Sequence, residues 1–176
     1  AGNGIFKLYK NNGDNSFTEQ TNVTLPGVDL SRAVWGDYDN DGYLDLYIVN
    51  FTPFDYAQNS FYHNNGNGTF TEMAASAGIT GTVTGRGDIA IVGDYNNDGF
   101  LDIFLTNSQS LGVFGNYGPY ILYKNNGNSN HWLEVKTKGT LSNRDGTGAK
   151  VWVTTGNHTQ FREQNGGTTL FGQNST

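Results

Sequence analysis

Two short stretches of this chain of 176 residues set acidic side chains at alternating positions. Asp37, Asp39, Asp41 and Asp45 stand at positions 1, 3, 5 and 9 of the first stretch. Asp94, Asn96, Asp98 and Asp102 stand at the same positions of the second, 57 residues later. Gly42 and Gly99 occupy position 6, where the chain must turn sharply. Alternate side chains on a tightly turned loop converge on one point, and the position-7 carbonyl of Tyr43 or Phe100 adds a further oxygen. An all-oxygen set with several anionic ligands suits Ca²⁺ better than Mg²⁺, which keeps its waters, or Zn²⁺, which prefers nitrogen and sulfur. Two Ca²⁺ sites are expected, completed by Asp45 and Asp102 at the start of a strand. An EF-hand is excluded, because its bidentate Glu at position 12 is here Ile48 or Leu105. Asp and Asn also favour bare turns. Two copies at one spacing weigh against that reading, as do carboxylates that would repel by roughly 1–4 kcal/mol per close pair without a cation.

Other chemistry finds little support. With no cysteine, a disulfide framework, a thiolate zinc site and a cysteine nucleophile are all excluded. His63, His131 and His158 are isolated and accompany no nucleophile motif, and Glu19, Glu72 and Glu134 fall at hairpin positions that suit solvated faces. A glycosidase needs two carboxylates at a defined separation, whereas the clustered acids here are taken up by the metal argument. A non-catalytic chain is expected. Arg86-Gly87-Asp88 spells an adhesion tripeptide. It aligns with residues just before the segment Arg32-Ala33-Val34-Trp35, so a strand start is expected rather than a loop tip. Asn22, Asn50, Asn67, Asn157 and Asn174 each open an Asn-x-Ser/Thr sequon, a candidate glycan site in an exported protein, though chance produces many in so asparagine-rich a chain. The stretch from Ser108 to Tyr120, with Phe114 and Tyr117, could stack on a sugar ring or serve as a connection between repeats.

The elements that must hold these residues follow from internal repeats. The segment from Trp35 to Tyr47 recurs from Val92 to Phe104. A second element reads Leu8-Tyr9-Lys10-Asn11-Asn12-Gly13, then Phe61-Tyr62-His63-Asn64-Asn65-Gly66, then Leu122-Tyr123-Lys124-Asn125-Asn126-Gly127. Phe-Thr-Glu follows the first two of these, at Phe17 and Phe70. Asn-Gly between such segments is a hairpin signal, because the turn needs positive φ. After each acidic stretch, Leu44, Leu46 and Ile48, and then Leu101, Ile103 and Leu105, alternate with their neighbours. That period predicts strands with one more deeply buried face. A repeat of this length with several strands is the size of a propeller blade.

Composition and charge agree. Aromatic residues at 14% argue against disorder, and 25 glycines with many asparagines argue for short strands and tight turns over a helical bundle. No apolar run approaches the roughly 20 residues that cross a bilayer. The chain does not start as a signal peptide does, so any export signal is expected to have been removed or to lie outside it. The net charge of −6 argues against nucleic acid as a partner. Residues 1–130 carry five basic and thirteen acidic side chains (−8), residues 131–176 five and three (+2), which puts a boundary near Asn130.

Gly36-Asp37-Tyr38-Asp39-Asn40-Asp41-Gly42-Tyr43-Leu44-Asp45-Leu46, with its neighbouring hairpins, resembles the FG-GAP/VCBS repeats of integrin-α-like β-propellers, nearest to secreted bacterial proteins and the cartilage acidic protein group. The resemblance covers residues 5–130 and implies calcium at the aspartate loops; Asn96 departs from the motif by one charge. Asn130-His131-Trp132-Leu133 and the run from Asn143 to Val151 resemble the ASPIC/UnbV segment. Strands are expected at His131–Lys136, Gly148–Thr154 and His158–Glu163. The expected whole is an all-β, extracellular calcium-binding module of two repeats and part of a third (1–130), followed by a partial C-terminal segment (131–176). It would act in adhesion, in glycan or protein binding, or in surface structure. Propellers close with four to eight blades, so further sequence or other copies of the chain are expected to complete it, a filament among the outcomes. A part in a polysaccharide-active enzyme is a third alternative.

Overall fold

The computed structural model describes residues 5–23, 25–26, 31–50, 58–81, 86–108, 118–141 and 143–164. Within them the chain is all-β apart from one helical turn. The strands are β1 (Ile5–Phe6), β2 (Tyr9–Asn11), β3 (Phe17–Glu19), β4 (Leu25–Pro26), β5 (Arg32–Gly36), β6 (Asp45–Val49), β7 (Ser60–Asn64) and β8 (Phe70–Glu72). The short helix α1 (Ala74–Ala77) is followed by β9 (Arg86–Gly93), β10 (Asp102–Ser108), β11 (Ile121–Tyr123), β12 (Lys150–Thr155) and β13 (His158–Glu163). Every pairing is antiparallel. β5-β6-β7-β8 form a four-stranded meander and β9-β10-β11 a three-stranded one, while β1 with β4, β2 with β3, and β12 with β13 are two-stranded. These are blade-like sheets of an incomplete propeller, and the described strands close no barrel.

Pairing sets the phase of the repeat. Each acidic loop joins the first two strands of a sheet, and the Asn-Asn-Gly hairpin that follows belongs to the same sheet. Leu46 therefore faces Tyr62, and Ile103 faces Tyr123. The hairpins themselves turn through five residues, 12–16 and 65–69, with Asn12 and Asn65 donating to the Ser16 and Thr69 carbonyls. Gly13 and Gly66 take positive φ there (84° and 72°), the backbone region that Gly adopts without a steric penalty.

The expectation of one buried face holds for β10 and fails for β6. In β10, Ile103 and Leu105 are buried and Phe104 is exposed. In β6, every residue is buried. Leu46 and Ile48 pack with Leu25 and Tyr62, with Leu8, Val23 and Phe70 against them. On the opposite face Tyr47 and Val49 pack with Val34, Tyr38, Ala90, Val92, Ile103 and Leu105. The four-stranded sheet is sandwiched between neighbours, so both periodic sets are covered. Each large apolar side chain buried in this way contributes roughly 1.5–3 kcal/mol.

The C-terminal part departs further. β12 and β13 form the expected hairpin, with Trp152 opposite Phe161 and Gly156 turning at φ 59°. His131–Lys136 is not a strand. It runs exposed and without a ladder among the described residues, because alternation alone supplies no partner for its backbone.

Candidate metal centres

The first loop is a turn built on its own carboxylates. Asp41 N–H donates to Asp37 Oδ1 (3.1 Å) and Asp39 Oδ1 (3.2 Å), Gly42 N–H to Asp37 Oδ2 (3.2 Å) and Tyr43 N–H to Asp41 Oδ1 (2.8 Å). Tyr38 N–H reaches forward to Asp45 Oδ2 (3.2 Å). The second loop repeats these contacts one for one. Asp98 N–H donates to Asp94 Oδ1 and Asn96 Oδ1, Gly99 N–H to Asp94 Oδ2, Phe100 N–H to Asp98 Oδ1 and Tyr95 N–H to Asp102 Oδ2, at 2.8–3.3 Å. Both loops need two left-handed residues. Gly42 and Gly99 supply one at position 6, and Asn40 and Asn97 (φ 57° and 59°) supply the other at position 4.

Asp45 and Asp102 open β6 and β10 and are 0% and 2% exposed. Each accepts a second N–H, from Asn64 (2.8 Å) or Asn125 (2.7 Å), the first asparagine of the following Asn-Asn-Gly. The side-chain amides of Asn64 and Asn125 in turn donate to the Leu44 and Leu101 carbonyls. Gly66 and Gly127 then leave room for the position-7 rings, since a Cβ would stand 2.6 Å from Tyr43 and 2.9 Å from Phe100. Loop and hairpin thus form one unit, which explains why the two motifs recur together. The loops also touch each other: Asn40 Nδ2 donates to the Gly99 carbonyl (2.9 Å), and Asn128 and Asn130 donate to that of Asp39 (2.7 and 2.8 Å).

Carboxylate oxygens of Asp37, Asp39 and Asp41 lie within 4.8 Å of one another, as do ligand atoms of Asp39, Asp45 and His63. Either set could hold a metal ion, and the first is all oxygen. Burial raises the carboxyl of Asp37 to about 6 against the pull of Arg162, with Asp41, Asp39 and Asp45 adding to the rise. Burial likewise pushes Asp39 and Asp45 upward. A loop whose charged form is disfavoured first by burial and then by its own carboxylates is one that a cation relieves, so the donor set fits the expected Ca²⁺. In the second loop Asn96 Nδ2 donates to Asp98 Oδ2 (2.8 Å), and Lys124 stands 3.9 Å from the same oxygen. With one carboxylate fewer, no three of its acids converge as closely among the described residues.

Several neighbours carry no local signal in the sequence. His63 Nδ1 lies 3.1 Å from Asp45 Oδ1 and 3.4 Å from Asp39 Oδ2. The β12–β13 hairpin docks on the first loop from 115 residues or more away. His158 Nε2 is 3.3 Å from the Gly42 carbonyl, its ring lies 4.8 Å from that of Tyr43, and Arg162 donates to Asp37 Oδ2 at 3.2 Å. Trp132 covers Gly99 of the second loop, where any Cβ would run into its ring. The asparagine shared by all three Asn-Asn-Gly copies was the one available signal, and it marks Asn64 and Asn125.

The remaining candidates fall apart in space. Arg86-Gly87-Asp88 begins β9, paired with Asn107 and Ser108 of β10. Gly87 is buried, and the Asp88 carbonyl accepts from Arg32 (2.5 Å). Asn50 is buried, its side-chain amide donating to the Gln58 carbonyl. Asn22, Asn67 and Asn157 are exposed; Asn174 lies outside the described residues, as do Phe114 and Tyr117. Tyr120 is exposed and stands edge-on to Phe104, with ring centroids 6.2 Å apart.

Blade-like sheets joined by paired acidic loops and Asn-Asn-Gly hairpins define the class: residues 1–48 and 37–105 match the FG-GAP-like repeat, and the chain belongs to that family. Residues 139–176 match the family described as ASPIC and UnbV. Among characterised proteins, the chain is similar to cartilage acidic protein 1 of Mus musculus (43% identical over 89 residues) and of Homo sapiens (37% over 89). The match takes in 49% of this chain and 11% and 10% of those proteins, so the chain spans about a tenth of the relatives' length. No solved structure matches significantly. No helix among the described residues is long and apolar enough to cross a membrane.

Proposed function

We propose that the chain is an extracellular, calcium-binding repeat module with a binding or structural role and no catalysis of its own. The observation that carries this reading is the convergence of Asp37, Asp39 and Asp41 on a loop in which the N–H groups of Asp41, Gly42 and Tyr43 are latched to its own carboxylates. Ca²⁺ would be held by Asp37, Asp39, Asp41, Asp45 and the Tyr43 carbonyl at one site, and by Asp94, Asn96, Asp98, Asp102 and the Phe100 carbonyl at the other. Bound there, it neutralises the loop and fixes the ends of β5–β6 and β9–β10. The relatives' name supports the location, since cartilage is mostly extracellular matrix. Extracellular calcium modules bind at about 10⁻⁴–10⁻³ M, which matches such a setting. Isothermal titration tests it: two Ca²⁺ per chain are expected, with Asp41→Ala and Asp98→Ala each removing one. A chain that takes up no Ca²⁺ would end the reading.

A second observation bears on partners. Repeat-equivalent residues differ in burial according to whether a sheet covers them. Tyr38 is 6% exposed and its equivalent Tyr95 is 55%; Tyr47 is 0% and Phe104 38%. The uncovered face carries a groove of about 320 Å³ lined by Ile91, Tyr95, Phe104 and Leu122 among others. Its repeat counterpart receives Ala90, Val92, Ile103 and Leu105, so the occupant proposed for it is another blade of the same repeat. In sedimentation, a concentration-dependent dimer abolished by Phe104→Glu identifies that blade as a second copy. A monomer that gains protection at Phe104 when linked to a further repeat identifies it as part of a longer chain. A monomer indifferent to both contradicts the proposal.

A further inference from the structure

The two acidic loops share a backbone and differ in what lies over them. In the second, Asp94 accepts from Asp98 and Gly99 N–H and makes no ion pair among the described residues. In the first, the equivalent Asp37 takes the same two backbone N–H groups and, on Oδ2, the Arg162 guanidinium at 3.2 Å. Arg162 is brought there by β13, and it is steadied by a bond from its other terminal nitrogen to the Phe161 carbonyl (3.0 Å) and by Gln160 Oε1 (3.4 Å). The hairpin is seated at the same place: His158 approaches the Gly42 carbonyl, and a Cβ on Gly42 would stand 2.7 Å from the His158 ring and 3.0 Å from Gln160. The whole contact lies within the turn that gathers Asp37, Asp39 and Asp41.

We propose that Arg162 is a built-in competitor for the first loop, so that a divalent cation bound there and the docked β12–β13 hairpin oppose one another. The inference rests on the calcium reading of the loops. A guanidinium and a divalent cation on one carboxylate repel at close range, and an ion pair whose guanidinium side is 42% exposed returns too little to offset that. Filling the loop therefore expels Arg162 and loosens the hairpin. By reciprocity, the docked hairpin weakens the first loop for Ca²⁺ by the same factor. The second loop has Trp132 over Gly99, and the cation beside it, Lys124 at 3.9 Å from Asp98, follows β11 and is no part of the hairpin, so this coupling is absent there. The module then has one structural calcium loop and one that reports calcium by releasing its C-terminal hairpin.

Two measurements test the coupling, with calcium chloride as the probe. In chains carrying Asp98→Ala, which isolates the first loop, Arg162→Ala should tighten Ca²⁺ binding about threefold to tenfold by titration calorimetry. In the unaltered chain, hydrogen exchange of the amides of β12 and β13 should quicken when Ca²⁺ replaces chelator. This second arm decides the matter even if the altered chains fold poorly. Equal affinities with and without Arg162, or a hairpin as protected in Ca²⁺ as in chelator, overturn the proposal while leaving calcium binding intact. If neither loop takes up Ca²⁺, the reading of the loops fails and takes the proposal with it.

Discussion

Burial strains the Asp37 carboxyl in the first loop, and that strain has a pH signature. Its carboxyl stands at about 6, raised chiefly by burial, against 3.8 for the free side chain. The folded chain therefore holds this proton more tightly than the unfolded one. The stability it contributes is complete below about pH 4 and is lost as the pH rises through about 6. In chelator, Asp37→Asn should flatten this part of the pH dependence of chemical unfolding, and Ca²⁺ should do so in the parent by favouring the ionised carboxylate. Identical pH profiles for parent and variant would show that the buried carboxyl is not under strain. Of these residues, the aspartates stood out because they alternate beside a position-6 glycine in two copies at one spacing. His63 and Arg162 were not, because nothing local marks a side chain that reaches the loop from another element.

At the scale of elements, the repeats revealed which segments pair, since loop and hairpin recur as a unit latched by Asn64 to Asp45 and Asn125 to Asp102. Burial of both faces of β6 was beyond a period-two pattern, which reports alternation but not how many sheets lie alongside. His131–Lys136 shows the converse, a sound alternation with no strand to meet it. Gly87 shows how a motif can be structural: a Cβ there would stand 2.5 Å from Val49 Cγ1 and 3.3 Å from Asn59 Oδ1, between the two meanders. Asn59 is itself held, its Nδ2 donating to the Tyr47 hydroxyl (2.9 Å) while its Oδ1 accepts from Asn50 N–H (3.0 Å). Gly87→Ala should therefore destabilise the chain by roughly 1–3 kcal/mol in chemical unfolding, as overpacking does. A neutral result would mean that the sheets stack more loosely than described.

For the whole molecule, the proposed calcium would make the acidic loops compatible with a compact fold. Seven carboxylates in the two loops account for most of the imbalance behind the net charge of −6. The basic C-terminal part, which the charge pattern set apart, meets the acidic body within one chain through Arg162 and Asp37. How many blades surround these two could not be read from composition or periodicity; the exposed Tyr95 and Phe104 pose that question, and the linked-repeat and dimer experiments answer it. The central claim is tested most directly by thermal unfolding in Ca²⁺ and in chelator, with Asp41→Ala and Asp98→Ala alongside. At a hundredfold excess over Kd each site should add about 2.7 kcal/mol. Two sites should raise Tm by roughly 10 °C or more, with about half the gain left in each variant. Superimposable curves in Ca²⁺ and in chelator would contradict the account.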